Sequence, residues 1–333
     1  MLIKILTVAL VVVLIVAILY FLMIMPRMMG RPDKTPFMDV LYAHRGLHDN
    51  ESEAPENSMA AFRKAVEGGY GIELDVQLTK DQVPVVFHDF TLQRMARVAG
   101  GAVADSTSAG DGSKTADAIE TADAIETAEA VTSGATEDRG LQPAPGKVAD
   151  YTYEELKQFT LGKSSEQIPT FKEFLEMVDG RVPLIVEYKI PGINNVKVCE
   201  LGNELLSSYK GLYCIESFNP LAVRWYKKNN PKVMRGQLAE NFLKEKQSGY
   251  PGIVFFAMHH LLLNFLAKPD FIAYNHKHYK DWSRSLCRYL YKGVAVAYTI
   301  KSQQQLEDRS GDFDMFIFDS FVPEGGSKNV AKR

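Results

Sequence analysis

The feature that most constrains the fold of this chain is an alternation of short β-rich runs and helical stretches that continues through most of its length. The candidate strands are Leu41–His44, Gly71–Val76, Pro84–Phe87, Pro183–Lys189, Leu212–Ser217, Val233–Leu238, Phe271–Asn275, Val294–Ile300 and Met315–Asp319. Candidate helices between them are Ser58–Glu67, with Ser58 as its N-cap, Asn195–Tyr209, Pro220–Asn229 and Ser302–Arg309. Such alternation argues for a parallel sheet, because parallel neighbours need a crossover of about a dozen residues or more, usually a helix. Nine strands are one more than a (β/α)8 barrel needs. Pro84–Phe87, however, follows Gly71–Val76 after only Gln77 to Val83, a link too short for a crossover and suited to an antiparallel hairpin. The expected fold class is therefore α/β, a (β/α)8 TIM barrel with an added hairpin.

Two segments fall outside this pattern. From Ile5 to Met25 the chain is uncharged and strongly apolar, and these 21 residues, at about 1.5 Å each, match the roughly 30 Å hydrocarbon core of a bilayer. A cleaved signal peptide would have a shorter apolar run ending in small residues. Here the run ends in Phe21-Leu22-Met23-Ile24-Met25-Pro26-Arg27, so a retained single-pass transmembrane helix is expected. Arg27, Arg31 and Lys34 follow the helix and only Lys4 precedes it, which by the positive-inside rule points to a cell-membrane protein with a cytoplasmic catalytic domain. An outward-facing domain is the alternative. Residues 1–36 then form the anchor and linker, and residues 37–333 the barrel domain. Within the latter, residues 99–145 read as an acidic low-complexity insertion. It carries the tandem hexamers Thr115–Glu120 and Thr121–Glu126, and between Ala99 and Asp138 its many carboxylates face only Lys114. A solvated, disordered segment without chemistry is expected there.

The formal net charge of -3 gives no global positive field to attract nucleic acid, and no nucleic-acid partner is expected. Cys199, Cys214 and Cys287 are scattered without metal-ligand spacing and read as buried free thiols.

Three short motifs sit at or just after predicted strand ends, where a (β/α)8 barrel carries its active site. His44-Arg45-Gly46 sets a proton-transfer group beside a fixed cation, which suits work on a phosphate. Glu73-Leu74-Asp75 turns two carboxylates to one face of a strand. Their repulsion is relieved either by a salt bridge or by a hard cation such as Mg2+ or Ca2+. Glu187-Tyr188-Lys189 places a further carboxylate next to a second cation, and His88-Asp89 supplies a second histidine after the hairpin strand.

Taken in order, His44-Arg45-Gly46, Pro55-Glu56-Asn57-Ser58, Glu73-Leu74-Asp75, His88-Asp89 and Glu187-Tyr188-Lys189 resemble the motifs of the glycerophosphodiester phosphodiesterase family. The likeness continues in Ser217-Phe218, Tyr298-Thr299-Ile300 and Asp319. It runs from about residue 40 to 323, interrupted by the acidic segment. Ser58 stands where the family usually has Thr, and Tyr298 where it usually has Trp.

The resemblance implies a (β/α)8 barrel, a divalent metal ion (Mg2+ or Ca2+), and hydrolysis of a glycerophosphodiester to sn-glycerol 3-phosphate and an alcohol. It implies Glu73, Asp75 and Glu187 as metal ligands and His44 and His88 as general base and acid. Arg45 and Lys189 become the phosphate clamp, with Glu56 and Asn57 in support. A membrane-bound phosphodiesterase acting on lysophospholipids is the close alternative, favoured by the anchor, and a catalytically inactive scaffold is a more distant one. The expected partners are thus a glycerophosphodiester or lysophospholipid substrate and, through the N-terminal helix, a lipid bilayer.

Overall fold

The computed structural model describes residues 1–99, 140–192, 195–242, 244–245 and 251–328. In chain order its strands are β1 (Tyr42–His44), β2 (Gly71–Leu78), β3 (Pro84–Val86), β4 (Ala96–Ala99), β5 (Leu141–Pro143), β6 (Thr160–Leu161), β7 (Leu184–Tyr188), β8 (Tyr213–Ser217), β9 (Arg235–Ala239), β10 (Phe271–Asn275), β11 (Val294–Ile300) and β12 (Met315–Phe318). Its α-helices are α1 (Leu2–Ile24), α2 (Met59–Glu67), α3 (Tyr153–Leu156), α4 (Phe171–Val178), α5 (Lys197–Ser208), α6 (Pro220–Asn229), α7 (Gly252–His259), α8 (Asn264–Ala267), α9 (Trp282–Tyr289) and α10 (Gln303–Arg309).

Strands β1, β2, β7, β8, β9, β10, β11 and β12 pair in that order, every pairing parallel, and β12 returns to β1. This closed eight-stranded barrel is the architecture expected from the sequence. Strand β3 pairs antiparallel with β2, Val86 opposite Val76, as the short link between them required. Period-two alternation sorts the side chains into layers. In β2, Ile72, Leu74 and Val76 join a core shared with Phe62 of α2 and Phe174 of α4, so Glu73, Asp75 and Gln77 turn the other way, into the barrel. A second core, with Tyr42, Ile185, Cys214, Phe271, Val296 and Ile317, fills the barrel interior. Helix α2 starts where expected, Ser58 Oγ accepting from the Ala61 N–H.

A small unit absent from the sequence reading stands beside β3. Strands β5, β4 and β6 form an antiparallel sheet over a core of its own, built from Leu92, Ala96, Val148, Leu156, Phe159 and Leu161. Residues 140–145 of the acidic segment therefore belong to ordered structure, since β5 lies within them. The hexameric repeats lie outside the described residues.

Helix α1 has a mean hydropathy of 3.2 over its most apolar window and, among the described residues, is the one helix long and apolar enough to cross a membrane. Residues 2–16 are exposed, whereas its C-terminal turns dock on the barrel. Tyr20 Oη lies 2.8 Å from Ser283 Oγ, the Ile24 carbonyl accepts from Asn264 Nδ2 at 2.9 Å, and the Met25 carbonyl accepts from Lys268 Nζ at 3.0 Å. Side-chain donors thus satisfy carbonyls that a helix end leaves without partners. The contacts also fix a direction. Tyr20 meets Ser283 in the first turn of α9, Ile24 meets Cys287 one turn on, and the Arg27 N–H donates to Pro269, just before β10. Helix α9 follows β10 and runs back from the C-terminal to the N-terminal strand ends. Helix α1 packs parallel to it, so residues 2–16 project from the C-terminal end of the barrel.

Candidate active site

At the C-terminal end of β1 the chain leaves the strand through two left-handed residues, Arg45 (φ 55°) and Gly46 (φ 86°). A Cβ at Gly46 would lie 2.9 Å from the Ala61 carbonyl carbon, so glycine is required for the backbone to pass over α2. This turn brings the buried Arg45 guanidinium over the strand ends. Its Nη1 bonds Glu56 Oε1 at 2.9 Å, its Nε lies 3.4 Å from Asp75 Oδ2, and its own N–H donates to Glu73 Oε2 at 3.2 Å. Asn57 Nδ2 donates to Asp75 Oδ2 at 2.9 Å.

Glu73, Asp75 and Glu187 are buried on adjacent strands in register, Asp75 opposite Glu187, and each offers an oxygen within 4.8 Å of the others. Lys189 Nζ bridges two of them, 3.1 Å from Asp75 Oδ1 and 3.0 Å from Glu187 Oε1. Burial, reinforced by Asp75 and Glu187, holds the Glu73 carboxyl well above the ordinary range. Burial raises Glu187 to about 7 despite Lys189, while Asp75 stays low because Lys189, His88 and Arg45 outweigh its burial. Glu216 is buried opposite Glu187 in the neighbouring strand, also raised by burial and by Glu187. Four carboxyls are thus buried together, and burial and mutual repulsion raise three of them, Glu73, Glu187 and Glu216, so the cluster is short of positive charge despite Arg45 and Lys189. An all-oxygen donor set with that deficit fits a hard divalent cation.

The two histidines flank this cluster. His44 Nε2 is 3.9 Å from Glu73 Oε2, and its Nδ1 is 3.4 Å from Asp319 Oδ2, just beyond β12. His48 Nε2 shares that carboxylate, 3.0 Å from Oδ1, and the two imidazoles hold Asp319 well below the usual range against the burial that would raise it. His88 Nδ1 lies 2.6 Å from Asp89 Oδ1. Asp89 accepts from Arg94 Nε at 2.6 Å, and Arg94 forks onto Glu56 at 2.6 and 2.8 Å. A continuous network therefore joins His88, Asp89, Arg94, Glu56 and Arg45.

All nine residues singled out in the sequence come to one end of the barrel. Asp319 as the group facing His44 and His48, Arg94 and Glu216 were missed as parts of the site. Glu216 carried a readable signal, since it precedes Ser217-Phe218 at a strand end and shares the parity of Glu187. Arg94 carried none, because its partners come together only in three dimensions. His259 and His278 pair with Asp281 and Glu245, away from this cluster.

The model of the glycerophosphoryl diester phosphodiesterase family matches residues 44–301. A glycerophosphodiester phosphodiesterase of Caldanaerobacter subterraneus is 31% identical over 219 residues, covering 62% of this chain and 69% of the relative. One from Bacillus altitudinis is 32% identical over 170 residues, covering 47% of this chain and 49% of that protein. The fold is shared with an Oleispira antarctica phosphodiesterase solved with the product sn-glycerol-3-phosphate (TM-score 0.57, 20% identity, 85% of this chain and 93% of that one). It is shared as well with a Thermotoga maritima glycerophosphodiester phosphodiesterase (TM-score 0.53, 19% identity, 84% and 93%). The family match covers more than half of the sequence and begins on the histidine that closes β1, and the chain accordingly belongs to the glycerophosphoryl diester phosphodiesterase family of phosphodiesterases.

Proposed function

We propose that the chain hydrolyses glycerophosphodiesters to sn-glycerol 3-phosphate and an alcohol, with a divalent cation held by Glu73, Asp75 and Glu187. The observation that carries this reading is the pairing of each histidine with its own carboxylate on either side of the acidic cluster. Nδ1 faces Asp319 in His44 and Asp89 in His88, so in each ring one nitrogen is held by a carboxylate, the arrangement that orients an imidazole for proton transfer. Bound there, a Mg2+ or Ca2+ ion would neutralise charge on the phosphoryl oxygens and hold glycerol hydroxyls.

The remaining steps belong to the side chains. Arg45 and Lys189 attract the phosphate and offset the negative charge that grows as the attacking oxygen approaches phosphorus. His44 takes the proton of the nucleophile, a water or a glycerol hydroxyl, and Asp319 stabilises the imidazolium that forms. His88, reaching in from the loop after β3, gives its proton to the departing alcohol oxygen, with Asp89 fixing its tautomer. Glu56 and Asn57 hold Arg45 and Asp75 in position. The product captured in the Oleispira antarctica phosphodiesterase supports the same phosphomonoester here.

The domain plan belongs to the same reading, with residues 1–36 as a single-pass membrane anchor and linker, the barrel in 37–333, and the barrel on the cytoplasmic side. The test is an enzyme-coupled assay of glycerol 3-phosphate released from glycerophosphocholine with Mg2+ or Ca2+. His44→Ala and His88→Ala are each expected to lose about 10²–10⁴-fold in kcat while calorimetry still records cation binding. Full activity in either variant would refute the acid–base assignment.

A further inference from the structure

The loop that leaves β1 brings a second imidazole back to the strand end. His44 closes the strand, the chain turns at Arg45 and Gly46, where the Gly46 N–H donates to the Ala43 carbonyl, and His48 follows directly. On the other side β12 pairs with β1 so that Ala43 lies opposite Phe318, and the next residues along are His44 and Asp319. Two imidazoles and one carboxylate therefore converge, with side chains only 11%, 9% and 13% exposed for His44, His48 and Asp319. His44 Nδ1 is 3.4 Å from Asp319 Oδ2 and His48 Nε2 is 3.0 Å from Oδ1. One donor atom from each of the three lies within 4.8 Å of the other two.

Hydrogen bonding does not account for His48. Among the described residues neither of its ring nitrogens makes a hydrogen bond, although the ring is nine-tenths buried and Nε2 stands beside a carboxylate oxygen. The ring meets that oxygen off the line a hydrogen bond needs. Asp319 Oδ1 accepts instead from Ser320 Oγ at 2.9 Å. A buried polar nitrogen left without a partner is costly, and this one is aimed at a point that a carboxylate and a second imidazole also face. A cation shared by all three resolves the arrangement. Zn2+ takes imidazole nitrogen and carboxylate oxygen at about 2.0–2.2 Å in a tetrahedron, which sets neighbouring donors about 3.3 Å apart. The separations of 3.0 and 3.4 Å bracket that spacing. The donors also sort the metals: two imidazoles with a carboxylate suit Zn2+, whereas the all-oxygen set of Glu73, Asp75 and Glu187 suits Mg2+ or Ca2+.

We propose that His44, His48 and Asp319 form a second metal site, separate from the acidic cluster, which takes Zn2+ and switches the hydrolase off. For its effect on activity the inference rests on the reading of His44 as the base. An imidazole that holds Zn2+ is neutral, so with the cation on Nδ1 the ring keeps its one proton on Nε2. Neither nitrogen can then accept a proton from the nucleophile. Asp319, as a zinc ligand, no longer stabilises an imidazolium. The cation at the acidic cluster stays in place, so Zn2+ acts beside it and not in competition with it.

The test titrates Zn2+ into the full-length protein in saturating Mg2+, followed by calorimetry and by release of glycerol 3-phosphate from glycerophosphocholine. Wild type is expected to bind Zn2+ and to slow about 10²-fold or more as the site fills, the worth of a general base. His48→Ala is expected to bind Zn2+ about 100-fold more weakly, since even groups that only hold a metal ligand in place are worth about 10–100-fold. Its half-inhibiting Zn2+ concentration, measured against its own zinc-free rate, should rise in step. Glu187→Gln should bind Zn2+ as wild type does. A zinc response lost in Glu187→Gln and kept in His48→Ala places the ion in the acidic cluster and overturns the site. Binding through His48 with the rate unchanged overturns the switch. If no glycerol 3-phosphate is released at all, the hydrolase reading and the switch both fall, and calorimetry decides the site alone. Co2+ in place of Zn2+ gives a reading that needs neither activity nor a variant. Four-coordinate Co2+ with imidazole ligands absorbs strongly in the visible, and six-coordinate Co2+ among oxygens only faintly. A faint spectrum alone overturns the site.

Discussion

Replacing Arg94 by Ala removes the centre of the network that runs from His88 to Arg45. The fork onto Glu56 and the bond to Asp89 all disappear, leaving two carboxylates that are 4% and 8% exposed as side chains. Stripping a partner from a buried ion pair costs about 3–5 kcal/mol. Here Glu56 keeps Arg45 at 2.9 Å and Asn50 at 3.1 Å, and Asp89 keeps His88, so the expected loss falls at or just below the lower limit of that range, about 2–3 kcal/mol. At about 2–4 °C per kcal/mol this is a fall in Tm of roughly 4–12 °C. The pH dependence follows from the same contacts. Burial alone would raise Glu56, but Arg45 and Arg94 hold it well below its ordinary value, and His88 and Arg94 together hold Asp89 down. Folded-state values below the unfolded ones contribute stability that is complete above the unfolded pKa and is lost as pH falls through the folded one. Wild type should therefore keep this contribution at pH 5 and lose it only in stronger acid. In Arg94→Ala the loss should begin at higher pH. Arg94→Lys should recover only part, since an ammonium cannot fork onto a carboxylate. Thermal unfolding followed between pH 3 and 7 reads both effects. A Tm drop under 2 °C with an unchanged acid limb would refute the reasoning.

Three further outcomes are expected. Gly46→Ala should destabilise by about 2–4 kcal/mol in urea unfolding, because a left-handed turn and a contact with the α2 backbone both oppose the methyl; a loss under 0.5 kcal/mol would show that the turn relaxes freely. Asp319→Asn should lower kcat about 10²–10⁴-fold with little change in KM and move the acidic limb of the pH–rate profile to lower pH, as expected when the carboxylate that favours the His44 imidazolium is removed; an unmoved profile would reduce Asp319 to a structural role. Saturating Mg2+ or Ca2+ at about 100 times its Kd should stabilise the protein by about 2.7 kcal/mol, chelation should reverse this, and Glu187→Gln should abolish most of it. A full response in Glu187→Gln would take Glu187 out of the cation site.

Much of the barrel was legible because each strand announces itself locally. Phe271–Asn275 and Val294–Ile300 match the structure residue for residue, since both are apolar runs bounded by residues that end strands. The carboxylates on β2 were legible because alternation alone turns Glu73 and Asp75 the same way. What escaped lacks local pattern. Strands β4, β5 and β6 have at most four residues each, and the sheet they form depends on pairing across a long intervening stretch. Helix α7 has no polar face, so periodicity could not distinguish it from a core segment. The link from Arg94 and Asp89 to Glu56 joins two loops, one after β1 and one after β3, that only the closed barrel brings together.

The register of the small sheet has a consequence for how such a chain can be altered. Ala99 at the end of β4 lies directly opposite Leu141 at the start of β5. Everything inserted between them begins and ends at neighbouring points of a hairpin, on the rim rather than in the barrel wall. Closing a loop there costs only about 0.6 kcal/mol more for each doubling of its length. The hairpin end is thus a port: residues 100–139 can be shortened to a turn or exchanged for a reporter domain while the spacing of the eight parallel strands is left as it is.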